Sequence, residues 1–126
     1  MAQILIIDDD DLLRGVLAKA LGHAGHNVIQ ATDGQQGVEV FRATTVDLVI
    51  TDLIMPVQEG VETIIILRRE RPALPIIAMS GGLPNSKVYL DIASKIGAKR
   101  ILDKPFSPSE LLLMVEDVLA EAQANQ

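Results

Sequence analysis

The chain has 126 residues, no cysteine and a formal net charge of −6, with a sequence pI near 4.7. No cysteine means no disulfide, thiolate metal site or cysteine nucleophile, and the acidic balance argues against direct nucleic-acid binding, which needs a basic stripe. The apolar residues are aliphatic, with no Trp, one Tyr and two Phe; short unbroken runs of Ile, Leu and Val suit strands covered on both faces.

Residues 3–8 read as a strand ending in Asp8-Asp9-Asp10-Asp11. Residues 11–24 read as a helix with Leu12, Val16, Leu17, Ala20 and Leu21 as its apolar stripe, closed by Gly22 and Gly25. A short strand covers 27–31, and Asp33 is placed to N-cap a helix carrying Val38 and Phe41. The third strand, 47–51, delivers Asp52 into a loop holding Pro56 and Gly60. A helix over about 61–70 carries Val61, Ile64, Ile65 and Leu67 and stops at Pro72. The fourth strand, 75–80, ends at Ser80 and meets a Gly81-Gly82-Leu83-Pro84-Asn85 loop. Residues 86–96 form a helix with Val88, Ile92, Ala93 and Ile96 inward, and with Lys87, Tyr89, Asp91 and Lys95 on a solvated face. The fifth strand, 99–103, runs into Lys104-Pro105-Phe106. Ser107-Pro108-Ser109-Glu110 opens a last helix that buries Leu111, Leu112, Val115, Val118 and Leu119. The two histidines, His23 and His26, are expected at the surface, far from any site.

Five strands alternating with five helices predict an α/β sandwich, and right-handed crossovers put helices on both faces. One domain is expected over 1–121, with a frayed tail over 122–126. No apolar stretch approaches the roughly 20 residues of a membrane span. The first residues lack the basic leader and cleavage site of a signal peptide, and a cytoplasmic location is expected.

Each buried-type strand ends in a reactive group. In a parallel sheet those ends share the edge where open α/β folds bind ligands. Asp8, Asp9 and Asp52 would meet there if strands one and three are neighbours. Two carboxylates about 5 Å apart repel by roughly 3 kcal/mol at an effective dielectric of 20. A hard cation relieves that repulsion, and Mg²⁺ takes a few oxygen ligands while keeping several waters. Asp10 and Asp11 are expected only to open the first helix, favoured by its dipole. A carboxylate beside Mg²⁺ is able to attack a phosphoryl group and form an acyl phosphate. The Lys104 ammonium and the Ser80 hydroxyl would then neutralise the remaining phosphoryl oxygens.

With these residues in view, the chain resembles the receiver domain of two-component response regulators over nearly its whole length. The matching elements are Ile-Leu-Ile-Ile-Asp8-Asp9, Thr51-Asp52 with Met55-Pro56 and Gly60, Ser80-Gly81, and Lys104-Pro105-Phe106. The resemblance implies a single-domain, flavodoxin-like (βα)5 sandwich with a parallel sheet in the order 2-1-3-4-5. It implies Asp52 as phosphoacceptor, and Asp8, Asp9, Asp52 and the Ile54 backbone carbonyl as Mg²⁺ ligands. Ser80 would be the switch hydroxyl and Lys104 the partner of the phosphoryl oxygens. The donor would be a phosphohistidine on a histidine kinase or phosphotransfer protein, and the output face would be helix four, strand five and helix five. Such a domain signals rather than turning over a substrate.

Two departures shape these expectations. The aromatic residue that many receivers carry three positions before the strand-five lysine is here Ile101, which offers no hydroxyl and no ring flip. The signal would then travel through the loop after strand four, where paired glycines give mobility and a slightly long 24-residue spacing from Ser80 to Lys104 is absorbed. Ile54 and Gly82, two positions beyond the acceptor and the switch hydroxyl, cannot orient a hydrolytic water, so a slow loss of phosphate is expected. Two alternatives stand beside this reading. One is a degenerate receiver that docks partners without phosphorylation. The other is a haloacid dehalogenase-like phosphatase; Asp8-Asp9-Asp10 has its Asp-x-Asp spacing, but Leu12 breaks the pattern and no late acidic pair follows.

Overall fold

A computed structural model describes residues 2–53, 60–80 and 86–124. Ten elements alternate along the chain: β1 (Gln3–Ile7), α1 (Asp11–His23), β2 (Asn27–Ala31), α2 (Gly34–Ala43), β3 (Leu48–Asp52), α3 (Gly60–Glu70), β4 (Ile76–Ser80), α4 (Ser86–Ile96), β5 (Arg100–Asp103) and α5 (Pro108–Ala124). The strands form one parallel sheet in the expected order β2-β1-β3-β4-β5. β3 runs through Asp52, one residue further than its apolar pattern predicts, because Asp52 still pairs in register with Met79.

Alternation along the strands divides the core in two. Leu5, Ile7, Val49, Ile76 and Ala78 face a cluster with Val38, Ile64, Leu67 and Ala93 from α2, α3 and α4. Ile4, Ile6, Leu48, Ile50, Ile77 and Met79 face Leu17, Leu21, Leu111, Val115 and Val118 from α1 and α5. Both faces of β3 and β4 are therefore buried, which accounts for their unbroken aliphatic runs. The expected caps form: Asp10 accepts from the Leu13 N–H at 3.0 Å and Asp33 from the Gln36 N–H at 2.8 Å.

Three helix phases differ from expectation. On α1, Leu12 is 80% and Val16 47% exposed, while Leu17, Ala18 and Leu21 are buried and Leu13 packs beside them. The apolar positions of α1 span too wide an arc to fix its rotation, and sheet packing selects the stripe one position round. Ile65 on α3 is exposed while Thr63 is buried. On α4, Val88 and Ile92 are exposed, and the small Ala93 is the side chain buried against the sheet. Lys87, Asp91 and Lys95 are solvated as expected; the Tyr89 side chain lies outside the described residues.

His26 is not a surface residue. Its ring is 7% exposed. Nδ1 accepts from the Ala2 N–H at 3.3 Å, so Nε2 carries the proton and donates to Glu116 Oε1 at 3.1 Å. His23 is exposed as expected.

Candidate functional site

The strand ends bring the predicted groups together. β1 and β3 are adjacent, so Asp8, one residue past β1, meets Asp52 at the end of β3. One carboxylate oxygen from each of Asp8, Asp9 and Asp52 lies within 4.8 Å of the others. Asp8 and Asp52 are buried and Asp9 is exposed. β5, at the far edge, supplies Lys104 just beyond its last residue. The Lys104 Nζ stands 3.5 Å from Asp8 Oδ2 and 3.4 Å from Asp52 Oδ2. Its backbone N–H donates to the Ser80 carbonyl at 2.7 Å, which ties the lysine to the end of β4.

One lysine does not satisfy two buried carboxylates. Burial pushes the Asp52 carboxyl up to about 6, with Lys104 opposing and Asp8 adding to the rise. Burial raises Asp8 as well, against the Asp10 N–H and Lys104. Ser80 is 1% exposed, and its Oγ is the only buried side-chain polar atom without a hydrogen-bond partner among the described residues. A buried, unpartnered hydroxyl costs about 1–3 kcal/mol. The edge therefore holds surplus negative charge and an unused donor, a combination suited to a bound cation and an anionic oxygen.

The donor set fits Mg²⁺. Three carboxylates converge from one side, all ligands are hard oxygens, and exposed Asp9 leaves an open flank for water. The fourth expected ligand, the Ile54 carbonyl, lies outside the described residues, as do Met55, Pro56, Gly81 and Gly82. Ile101 is half-buried against the α2–α3–α4 core and pairs in register with Ala78, two residues before Ser80. The Lys104–Pro105 peptide is cis.

Two backbone devices shape the edge. At the exit from β3 the Leu53 N–H is shared between Asp52 Oδ1 at 2.9 Å and the Met79 carbonyl at 3.0 Å. Gly60 closes that exit, donating its N–H to the Leu53 carbonyl at 2.9 Å. A Cβ on Gly60 would collide with the Asp52 carbonyl oxygen and Leu53 Cα, both rigid backbone atoms. Gly60 thereby lets α3 start against the end of β3.

Sequence reasoning does not single out Arg14. Its side chain is 11% exposed, and its guanidinium donates to the Asp8 carbonyl at 2.7 Å, Asp11 Oδ1 at 2.7 Å and Gln30 Oε1 at 3.0 Å. The available signal was an arginine one turn into a helix that an acidic run opens.

Residues 4–116 match the family model of the response regulator receiver domain. The chain is 36% identical over 102 residues to the autoinducer 1 sensor kinase/phosphatase LuxN of Vibrio campbellii, covering 81% of this chain and 12% of that protein. It is 32% identical over 126 residues to the transcriptional regulatory protein CpxR of Escherichia coli, covering 100% of this chain and 53% of that protein. The chain thus spans about half or less of the length of these relatives. The receiver domain of NtrX from Brucella abortus superposes with a TM-score of 0.87 at 26% identity, covering 93% of this chain and 98% of that one. The acid edge and the doubly wound sheet agree with that match, and the chain belongs to the response regulator receiver domain family.

Proposed function

We propose that the chain accepts a phosphoryl group on Asp52 in a Mg²⁺-dependent reaction and signals through the resulting change of shape. The observation that carries this reading is the convergence of Asp8, Asp9, Asp52 and Lys104 beside the unpartnered Ser80 hydroxyl. The donor is a phosphohistidine on a histidine kinase or phosphotransfer protein, a source in keeping with the similarity to a sensor kinase and to transcriptional regulators. An Asp52 carboxylate oxygen forms a bond to phosphorus as the P–N bond breaks, and the electron pair leaves with the imidazole nitrogen. Mg²⁺, held by Asp8, Asp9, Asp52 and the Ile54 carbonyl, would supply charge neutralisation at the phosphoryl oxygens. Lys104 Nζ, already between Asp8 and Asp52, moves onto a phosphoryl oxygen. The Ser80 hydroxyl donates to another and gains the partner it lacks.

The acyl phosphate adds about −1.5 to −2 charges at the edge. Recruiting Ser80 pulls the end of β4, and β4 carries Ile101 of β5 in register at Ala78. The shift reaches α4 and α5, which leave Val88, Ile92 and Leu113 exposed for a downstream protein. This is a cytoplasmic signalling module rather than a turnover enzyme; it loses phosphate slowly, and its net charge of −6 disfavours direct nucleic-acid contact by this domain.

Intact mass after incubation with Mg²⁺ and acetyl phosphate tests the reading. A single adduct of about 80 Da, labile to hydroxylamine and absent in Asp52→Ala, is the expected result. No adduct on the wild type would overturn it and favour a phosphorylation-independent docking module.

A further inference from the structure

Asp8 is held at every polar atom. Its N–H donates to the Ala31 carbonyl at 3.1 Å and its carbonyl accepts from Arg14 Nη1 at 2.7 Å. Its Oδ1 accepts from the Asp10 N–H at 3.0 Å, and its Oδ2 faces Lys104 at 3.5 Å. Three of these holds come from the backbone or from the site itself. The fourth is the Arg14 side chain, which meets the main chain of Asp8 and not its carboxylate. Arg14 reaches back from α1 to the main chain at the turn between β1 and α1. There it joins three separate pieces: the strand end at Asp8, its own helix at Asp11 and the neighbouring strand β2 at Gln30.

We propose that Arg14 is a positioning residue for the cation site, fixing the β1–α1 turn so that Asp8 and Asp9 present their carboxylates in one orientation. The proposal rests on the Mg²⁺ reading above. A planar guanidinium is suited to this task because its donors leave in fixed directions and are shared among three acceptors at once, which an ammonium on a flexible stem does not reproduce. Gln30 is the outer anchor. It is exposed, lies on β2 and bonds Arg14 through Nε, so it bears on the acids only through the arginine.

The charge of Arg14 and its geometry act in opposite directions, which makes them separable. A positive charge near the cluster repels a cation, so an arginine acting as charge alone would bind Mg²⁺ more tightly once removed. An arginine acting by position binds it less tightly once removed, and lysine, which keeps the charge, fails to rescue. The experiment is Mg²⁺ titration followed by backbone amide shifts and by calorimetry, on wild type, Arg14→Ala, Arg14→Lys, Gln30→Ala and the Arg14→Ala/Gln30→Ala double variant, with melting in EDTA as a folding control. Loss of an outer-shell partner weakens metal binding by roughly 10-fold or more. We expect that loss in both Arg14 variants, a smaller loss in Gln30→Ala, and no added loss from Gln30→Ala once Arg14 is gone. Unchanged or tighter Mg²⁺ binding in Arg14→Ala, full rescue by lysine, or an undiminished Gln30 effect in the double variant would each overturn the proposal. Because Gln30 is exposed, its variant keeps the test open should an Arg14 variant fold poorly. A wild type that binds no Mg²⁺ would instead overturn the reading of the site, and this proposal with it.

Discussion

Where the strands begin, charged side chains surround a cavity of about 740 Å³ lined by His26, Asp47, Arg68, Arg71, Lys99 and Glu116 among others. Each of these six has a partner. Asp47 accepts from the Gln3 N–H at 2.8 Å, Arg71 donates to the Val46 carbonyl, His26 bridges Ala2 and Glu116, and Lys99 pairs Glu121 at 3.4 Å. Arg68 donates to the carbonyls of Pro72, Leu74 and Gly97 at 2.7, 2.6 and 2.5 Å. Where the strands end, two buried carboxylates share one ammonium and a buried hydroxyl has no partner. That cavity is thus a finished piece of structure, and the acid edge is the unfinished one. The cavity stands at one end of the sheet and unsatisfied polarity at the other, and it is unsatisfied polarity that marks a candidate site.

The contrast breaks most severely at Lys104. Lys104→Ala should slow phosphorylation by acetyl phosphate roughly 100-fold, as expected for loss of a charge aimed at the transferring group. Stopped-flow or quenched mass measurements read this directly, and a loss under threefold would place the lysine outside the reaction. At the opposite edge, Arg68→Ala should do the reverse. It leaves three carbonyls without donors and should lower stability by about 2–4 kcal/mol in urea melts. Its phosphorylation rate under native conditions should stay within about twofold of wild type, because the two edges share no partner.

The smallest of the three effects is the one that tests frustration itself. Asp52 titrates near 6 in the folded state, above its ordinary value of 3.8. Between those values the folded protein holds a proton the unfolded chain has released. Stability in EDTA is therefore full below about pH 4 and falls as pH rises through about 6. Asp52→Asn should remove most of that slope and raise stability at pH 7 by on the order of 2 kcal/mol. Melting in EDTA at pH 4.5 and 7 decides it: a variant less stable than wild type at pH 7 would show that the buried carboxylate is not a source of strain.

How much of this was legible in the sequence follows from the range of the interactions. The strand-end groups could be read because each closes an apolar run, a local signal, and parallel pairing does the rest. Gly60 could be read as a shaping residue, though its reason, the approach of α3 to the Asp52 carbonyl, needed the fold. The rotation of α1 and α4 could not, since Leu12, Val16, Val88 and Ile92 look as buriable as their neighbours. His26 was misplaced for another reason: its ring pairs with Glu116, 90 residues away on α5. Arg68 acts through backbone carbonyls, which no residue pattern displays, and the bond of Arg14 to the Asp8 carbonyl is of the same kind.

The site gathers its members from the whole length of the chain. Asp8 and Lys104 are separated by 96 positions and Lys104 and Asp52 by 52. During synthesis, β1 and β3 emerge long before β5, and the acids can assemble without the lysine. Only when the last strand has joined the edge of the sheet do carboxylates and ammonium face one another. A nascent or truncated chain that stops short of β5 lacks the ammonium that the proposed phosphoryl transfer calls for, so the edge is incomplete until the last strand has docked.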